Sequence, residues 1–258
     1  MSMIVVFQPD SKARARLSDA LARDHELQPV DTWADFSRIA LNAQTSACIV
    51  DVYGPGRTIS PGRLGQLRLR RPDLAIVVYS DFSGKRLDPF ELGRYGIDAV
   101  IEAGDDDPSM IRGAVARSLA SATAGSVAAD LEGHLPALLV DVLRWAVEHA
   151  SGKPSAGALA RDMGMSPAHL TRKLRSLEGP PARVLLLWGR LLQAAQLLHR
   201  GWTVESTAHE LGYASASGLH RAFHRRVGFP PGDLPVRGGL SSMVTVLLES
   251  TEIKKLRE

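Results

Sequence analysis

The sequence has one cysteine among its 258 residues, and this scarcity excludes two kinds of structure. A single thiol cannot form a disulfide framework within the chain, nor the multi-cysteine zinc sites of small metal-binding domains. Cys48 lies in the apolar run Ala47–Val50. We therefore expect a small buried core residue in a protein of a reducing cytosol.

Long hydrophobic runs and the common catalytic motifs are also missing. No stretch approaches the roughly 18 apolar residues of a membrane-spanning helix, and Met1–Asp10 lacks the length and cleavage-type ending of a signal peptide. There is no Gly-x-Ser-x-Gly elbow, phosphate-binding loop or His-Glu-x-x-His motif. Among the histidines at 134, 149, 199 and 209, no close pair has a cysteine or a carboxylate as a possible further metal ligand. We expect a cytoplasmic protein without enzymatic activity, metal or cofactor.

The positive charge of the chain is concentrated in its second half. The overall formal charge is only +3, from 31 Lys and Arg against 28 Asp and Glu. Residues 1–125 hold 15 basic and 16 acidic side chains, whereas Ser166–Arg226 holds nine basic and three acidic ones. This local excess predicts an anionic partner for the second half.

Residues 1–123 alternate short apolar runs with helical patterns. The runs predict strands covered on both faces at Met3–Phe7, Leu27–Val30, Ala47–Tyr53, Ala75–Ser80 and Ala99–Glu102. The helical patterns cover Ser11–Arg23, Trp33–Asn42, Pro61–Arg71, Pro89–Arg94 and Pro108–Ala122. Such alternation predicts an α/β doubly wound domain of the flavodoxin-like type, with a parallel sheet.

The pattern becomes entirely helical after the small-residue stretch 124–133, which we interpret as a linker or as the fraying end of a helix. Predicted helices cover Leu135–His149, Ala156–Met163, Pro167–Leu177, Ala182–His199, Val204–Leu211 and Ala216–Val227. The tail, 236–258, contains an apolar segment at Met243–Leu248. That segment is compatible with a docked helix, a docked strand or disorder.

Two segments of the helical half repeat one layout, at 159–174 and 207–223. Each has a short helix, a glycine, an apolar residue, a serine and a second helix. Gly164 and Gly212 favour a sharp turn, and Ser166 and Ser215 are suitable N-caps. This is the layout of a helix-turn-helix, whose second helix enters the DNA major groove while flanking cations contact phosphates.

A long helix and a closing motif complete this arrangement. The long helix contains the run Arg-Leu-Leu-Gln-Ala-Ala-Gln-Leu-Leu at 190–198, and the motif Phe-x4-Gly-x2-Pro stands at Phe223–Pro231. Together with the two helix-turn-helix units, this order resembles the DNA-binding domain of the AraC/XylS family of bacterial transcription regulators over 134–235. Thr207 departs from the family's usual isoleucine and Leu174 from its usual phenylalanine.

The resemblance implies a reader of two successive major-groove segments, which the long helix sets about one helical turn of DNA apart, ~34 Å. It implies base-facing residues at Ala168, Thr171, Arg172 and Arg175 in the first unit, and at Ser217, Gly218, His220 and Arg221 in the second. It implies phosphate or positioning contacts at Ser166, Lys173, Ser215 and Arg225. The expected partner is double-stranded promoter DNA, with RNA polymerase as a further candidate and no membrane partner.

A doubly wound domain ahead of a DNA-binding domain resembles the receiver domain of a response regulator. Asp51 ends the third strand and is followed four residues later by Pro55, as is the phospho-acceptor of receivers. Ser80 ends the fourth strand, where receivers carry Thr or Ser. The run Asp105-Asp106-Asp107 before Pro108 is more typical of a helix start than of a metal cluster.

Other receiver residues are missing from the sequence. Phe7 and Gln8 stand in place of the acidic pair that holds Mg²⁺, and Ala103 stands in place of the lysine. An aspartyl phosphate at Asp51 would therefore carry uncompensated negative charge. We interpret residues 1–123 as a degenerate receiver-like domain that acts without phosphorylation, with Asp51 as the one candidate phospho-acceptor.

Two roles fit such a domain. It homodimerises the protein, which the avidity of linked DNA-binding modules favours, or it binds a small molecule or partner at the carboxyl edge of the sheet. Two alternatives to the whole interpretation stay open. One is a regulator switched by phosphorylation of Asp51, and the other is a protein-interaction adaptor whose helical domain no longer binds DNA.

Overall fold

The computed structural model describes residues 2–54, 59–83, 92–104, 106–152, 154–250 and 253. The chain forms two compact units, Met1–Ala122 and Thr123–Glu258. Residues 89–91 of the helix predicted at Pro89–Arg94 lie outside the described residues, and so do Pro55 and Asp105. Within the described ranges, none of the helices is long and apolar enough to cross a membrane.

The first unit is a parallel five-stranded sheet with the strand order β2-β1-β3-β4-β5. Its strands are β1 (Ser2–Phe7), β2 (His25–Pro29), β3 (Thr45–Val50), β4 (Ala75–Ser80) and β5 (Ala99–Glu102). This is the flavodoxin-like doubly wound order, so the predicted fold class is confirmed. Because all strands are parallel, their carboxyl ends, with Asp51 following β3, share one edge of the sheet.

Helices cover both faces of this sheet, and every residue of β3 and β4 is therefore buried. The helices are α1 (Ser11–Leu21), α2 (Trp33–Ala40), α3 (Pro61–Arg70) and α4 (Pro108–Leu131). Leu17 of α1 and Ile111 of α4 pack on one face. Phe36 of α2 and Leu64 of α3 pack on the other face, together with the buried Cys48.

Helix α4 continues past its predicted end at Ala122 as far as Leu131. Its last part lies in the second unit, where Val127 and Leu131 are fully buried in the helical core. The stretch 124–133 is thus largely helical and not an extended linker. Its alanines favour the helix, and Gly125 is tolerated inside it at a modest cost.

The second unit is entirely helical and is built around one long helix. Its helices are α5 (Ala137–Glu148), α6 (Ala156–Asp162), α7 (Pro167–Ser176), α8 (Ala182–His199), α9 (Val204–Glu210), α10 (Ala216–Arg226) and α11 (Gly239–Glu249). Short 3-10 segments lie at Ala150–Gly152 and Pro231–Arg237. Twelve of the 18 residues of α8 are buried, and α5, α6, α9 and α11 pack on this core helix.

Helix α11 settles the structure of the tail. Leu240, Met243, Val244 and Leu247 are buried at the spacing i, i+3, i+4, i+7, and the helix packs on α8. A docked helix is therefore the correct one of the three possibilities for this segment. Residues 251, 252 and 254–258 lie outside the described residues.

Candidate nucleic-acid interface

The first helix-turn-helix consists of α6 and α7, and a glycine in the left-handed region ends α6. Gly164 has φ +65°, and the N–H of Met165 donates to the carbonyl oxygen of Ala160 at 2.8 Å. This bond belongs to a Schellman motif, in which glycine is favoured because other residues are strained at positive φ. Ser166 then begins α7, since its hydroxyl oxygen accepts a hydrogen bond from the N–H of His169 at 3.2 Å.

The second helix-turn-helix, α9 and α10, repeats this turn with one additional residue. Gly212 has φ +68°, and the N–H of Tyr213 donates to the carbonyl oxygen of Ala208 at 2.8 Å. The capping serine, Ser215, follows the glycine by three positions, whereas the first turn needs two. Its hydroxyl oxygen accepts from the N–H of Gly218 at 3.4 Å. Both predicted N-caps are confirmed.

Each second helix is anchored by two buried residues four positions apart. On α7 these are Leu170 and Leu174, and on α10 they are Leu219 and Phe223. Thr207, on α9, is also fully buried. Leu174 and Thr207, which depart from the family pattern, thus occupy core positions.

The face of α7 that points away from its anchors is an exposed stripe. Its members share the spacing i, i+3, i+4, i+7 and are Ala168, Thr171, Arg172 and Arg175. Ser166 and Lys173, the predicted phosphate contacts, are also exposed. The Thr171 hydroxyl donates to the carbonyl oxygen of Pro167 at 2.8 Å, so its oxygen is still able to accept. We call the four-residue set the α7 stripe.

The equivalent α10 stripe consists of Ser217, His220, Arg221 and His224, all exposed. His224 occupies the position that corresponds to Arg175 in α7. His224 is not among the contact residues predicted from the sequence, although its spacing of seven residues from Ser217 places it on the same helix face. The predicted phosphate contacts Ser215 and Arg225 are exposed beside this stripe.

Gly218 is the one predicted base-facing residue with a different environment. It is half-buried, and a Cβ on it would lie 3.5 Å from Cδ1 of Tyr213. Gly218 therefore packs on the Tyr213 ring and lies off the α10 stripe. Whether any of the twelve predicted contact residues touches DNA stays a prediction.

Five basic residues of α7 and α10 have no acidic partner in the described part of the chain. The ion pairs there involve other arginines. None of them includes Arg172, Lys173, Arg175, Arg221 or Arg225. By contrast, Arg68 and Arg71 in the first unit are paired with Asp98 and Asp73. Uncompensated cations on exposed helix faces attract a polyanion.

Arg190 connects α8 to the second helix-turn-helix. Its Nη2 donates to the carbonyl oxygen of Leu211 at 2.7 Å, and its guanidinium carbon lies 4.1 Å from the centre of the Tyr213 ring. Leu211 caps the end of α9, and Tyr213 lies against the start of α10. Burial raises the pKa of Tyr213, so the ring stays neutral beneath the guanidinium. Arg190 thereby positions the turn and the first residues of α10.

Trp145 of α5 has a comparable role in the first helix-turn-helix. Its indole Nε1 donates to Oδ2 of Asp162, the last residue of α6, at 3.0 Å. The indole is also stacked on His149, with ring centres 4.2 Å apart. The end of α6 is therefore held by a side chain of the core, as the end of α9 is by Arg190.

Asp51 is buried at the carboxyl edge of the sheet and is held by local hydrogen bonds. Its Oδ1 accepts from the Ser80 hydroxyl at 2.6 Å and from the N–H of Tyr53 at 2.9 Å. Its Oδ2 faces Gly54, where a Cβ would lie 3.1 Å from that oxygen and 2.6 Å from Cγ of Pro9. Only 7% of Asp51 is exposed.

The residues at the expected metal side of Asp51 have other partners. The buried Gln8 donates its amide to the carbonyl oxygen of Tyr79 at 3.0 Å, and its Oε1 accepts from the N–H of Asp10 at 3.0 Å. Asp10 caps α1 by accepting from the N–H of Lys12 at 3.0 Å. Across the described residues, no group of three or more His, Cys, Asp or Glu is placed to hold a metal ion.

The two described members of the acidic run before α4 are structural. Oδ1 of Asp107 accepts from the hydroxyl of Ser109 at 2.6 Å and from its N–H at 2.7 Å, which lowers the pKa of Asp107. This carboxylate caps α4, as predicted. Oδ2 of Asp106 accepts from Nε of Arg16 at 3.2 Å and from the Tyr79 hydroxyl. Burial, together with this carboxylate, raises the pKa of Tyr79 to about 12.

Comparisons with known proteins agree on the helical unit. A model of a helix-turn-helix domain family matches residues 159–235. A protein of Streptomyces lividans named as an AraC-like transcription regulator is 38% identical over 76 residues. The matched stretch is 29% of this chain and 25% of that protein, so the chain covers about a quarter of this relative.

Two solved structures are similar to this chain at low TM-scores. The DNA-binding transcriptional dual regulator from Escherichia coli K-12 is 26% identical, with a TM-score of 0.36, over 40% of this chain and 92% of that one. Full-length FixJ from B. japonicum is 17% identical, with a TM-score of 0.38, over 88% of this chain and 98% of that one.

The family model and the two turns described above coincide in the chain. Residues 159–235 contain both Schellman turns, both exposed stripes and the shared helix α8. The first unit has the doubly wound strand order independently of any relative. Residues 159–235 are therefore a helix-turn-helix domain, similar to an AraC-like transcription regulator and preceded in the chain by a doubly wound α/β unit.

Proposed function

We propose that this chain is a cytoplasmic transcription regulator that binds promoter DNA through both helix-turn-helix units at once. The observation that carries the proposal is the pair of exposed stripes on α7 and α10, whose arginines have no acidic partner among the described residues. Arg172, Arg175 and Arg221 are suited to donate bidentate hydrogen bonds to guanine in the major groove. The flanking serines, Lys173 and Arg225 are suited to phosphate contacts.

The shared helix supports simultaneous binding by the two units. Helix α8 has 18 residues and is therefore about 27 Å long. Successive major-groove segments on one side of a duplex are about 34 Å apart. A helix of this length, with one unit attached at each end of its sequence, is a suitable spacer for two neighbouring segments.

We propose further that the first unit controls this binding without phosphorylation. The support is the enclosed environment of Asp51, whose oxygens face Ser80, Tyr53 and Gly54, and the use of the Gln8 amide in backbone contacts. In this role the unit joins two copies of the chain, which raises the avidity of two DNA-binding units. RNA polymerase is the further partner that a promoter-bound regulator meets.

Duplex selection followed by a salt titration tests DNA binding. The full chain selects duplexes from a random-sequence pool, and the logarithm of the affinity is expected to fall linearly with the logarithm of the salt concentration. Arg172→Ala or Arg221→Ala should cost about 1–3 kcal/mol on the selected site and relax discrimination at one base. The control Arg144→Ala changes an exposed arginine of α5 that is paired with Asp141. An absence of any salt-sensitive DNA affinity would favour the adaptor alternative.

Acetyl phosphate with Mg²⁺ tests the control mechanism. We expect neither a mass gain of the intact protein nor a change in its DNA affinity, because Asp51 is enclosed and the acidic pair and lysine of receivers are replaced. Asp51→Asn is the reference variant. A stable mass gain that disappears in Asp51→Asn would restore the alternative of a phosphorylation switch.

A further inference from the structure

The two exposed stripes differ in the permanence of their charge. The α7 stripe carries two arginines, Arg172 and Arg175, which stay charged at every physiological pH. The α10 stripe has a single arginine, Arg221, between two exposed histidines, His220 and His224. An exposed imidazole ordinarily has a pKa of about 6.5, so its charge changes across the physiological range.

The ring nitrogens of these two histidines have no partner within the described residues. No hydrogen bond or ion pair joins either ring to another side chain there. The charged groups of the surrounding elements are Arg221, Arg225 and Arg226 on α10, Glu205, His209 and Glu210 on α9, and Asp233 and Arg237 on the 3-10 segment. Asp233 itself lies 3.9 Å from Arg237. The two imidazoles are therefore available to an incoming ligand.

We infer that His220 and His224 form, together with Arg221, a proton-dependent DNA contact, so that the second helix-turn-helix binds DNA most tightly when both imidazoles are protonated. This inference rests on the proposed DNA-binding function and specifies its chemistry. A protonated imidazole donates from both ring nitrogens, whereas the neutral ring donates from one and presents an acceptor at the other. Phosphate oxygens and the guanine edge are acceptors, so they favour the protonated ring.

Proton uptake on binding follows from this preference. A contact that raises the pKa of one histidine by one unit increases the affinity about tenfold at a pH below both pKa values, relative to a pH above them. Two such histidines give about a hundredfold change. The α7 stripe has no group that titrates near neutral pH, so the pH dependence of DNA binding belongs to the second helix-turn-helix.

The experiment measures the dissociation constant of the full chain at constant ionic strength between about pH 8 and pH 5.5, across the ordinary histidine pKa. The probe is a fluorescent duplex of about 30 base pairs, or three helical turns, selected by the full chain from a random pool at neutral pH. We expect binding to tighten by about a hundredfold as the pH falls. The change should shrink to about tenfold in His220→Gln or His224→Gln and to near one in the double variant.

His209→Gln is the matched control, because His209 is an exposed histidine of the same unit that lies on α9 and outside the stripe. It should keep the wild-type pH dependence. Circular dichroism at both ends of the pH range establishes that each variant is folded. A pH-independent affinity of the wild-type chain, or a pH dependence that persists in the double variant, would overturn the inference while leaving DNA binding intact. Failure to select any duplex would instead overturn the proposed function itself.

Discussion

Gly189 lies where two core helices of the second unit approach most closely. A Cβ on Gly189 would lie 2.5 Å from both the carbonyl carbon and the Cβ of Ala146 on α5. Real Cβ atoms do not approach backbone so closely, and the atoms in the way belong to a rigid helix. The packing of α5 on α8 therefore depends on a hydrogen atom at this position.

We predict that Gly189→Ala destabilises the second unit by about 1–3 kcal/mol or more, because α5 must move away from α8. Urea unfolding followed by tryptophan fluorescence measures this, since Trp145, Trp188 and Trp202 all lie in that unit. Gly125→Ala is the control, as nothing lies within 4 Å of its Cβ. It should be neutral or stabilise by up to about 1 kcal/mol. Equal effects of the two substitutions would contradict the close approach.

Arg190 offers a second test at a single residue. We predict that Arg190→Lys weakens DNA binding and lowers the stability of the second unit by about 1–3 kcal/mol, because lysine loses the planar stack on Tyr213 and the aligned bond to Leu211. Arg183→Lys changes an exposed arginine of the same helix and should have little effect. The same urea unfolding and a DNA titration give both readouts. An unaltered affinity in folded Arg190→Lys would show that the turn does not depend on this arginine.

Residue types predicted the site better than individual positions did. The capping serines, the turn glycines and the exposed arginines follow from local chemistry, and the structure places them as expected. Gly218 was assigned to the base-facing set from its place in the sequence. Its packing on the Tyr213 ring is a tertiary contact that the sequence pattern does not show. His224 was not predicted as a contact residue, whereas its charged neighbour Arg225 was.

Helix caps act at the scale of whole elements, and Asp107 begins α4. The hydrogen bonds from Ser109 lower its pKa, so the folded protein favours the carboxylate over the acid. Its stabilisation is therefore complete above the ordinary aspartate pKa of about 4 and is lost as the pH falls through the lowered value. Asn at this position is still able to cap but does not titrate.

We predict that Asp107→Asn lowers the melting temperature of the first unit by a constant amount above about pH 5, and that the difference from wild type closes below about pH 4. Differential scanning calorimetry across this range measures it. Asp31 is not a cap of any described helix, so Asp31→Asn provides the comparison. A difference that grows as the pH falls would have the wrong sign for a carboxylate cap.

Helix α11 is a second element with a testable weight, since it lies beyond the matched domain at 159–235. We predict that Leu247→Ala, at a fully buried position, costs about 2–5 kcal/mol of unfolding free energy. Thr245→Ala, on the exposed face of the same helix, should be close to neutral. Urea unfolding distinguishes them. If both variants unfold like wild type, α11 does not belong to the core.

Elements bounded by strong signals were predictable in full. Strands β4 and β5 and helix α8 have their predicted ends, because apolar runs there meet proline, glycine or polar residues. The end of α4 was not predictable, since its alanines and serines carry weak periodicity and their burial is tertiary. The tail did carry a helical spacing of apolar residues, but the surface that buries them belongs to α8, far away in sequence.

At the scale of the whole molecule, the two units meet different needs. The first unit provides a doubly wound sheet without a metal cluster in its described residues, and the second provides the two exposed stripes. We predict that light scattering of the full chain gives twice its 27.8 kDa mass at micromolar concentration. DNA binding should then become weaker on dilution below the dimer range, because the second binding event loses its high effective concentration. A single-chain mass throughout would remove dimerisation as the role of the first unit.

The extra residue in the second turn makes the two helix-turn-helix units differ from each other. Its helix starts one position later after its glycine than α7 does, and its stripe bears two imidazoles and one guanidinium group, whereas the α7 stripe bears two guanidinium groups. A duplex site recognised by such a chain has a head and a tail. Reversing that site relative to the gene would turn the bound chain round with it, so orientation itself would become part of the signal.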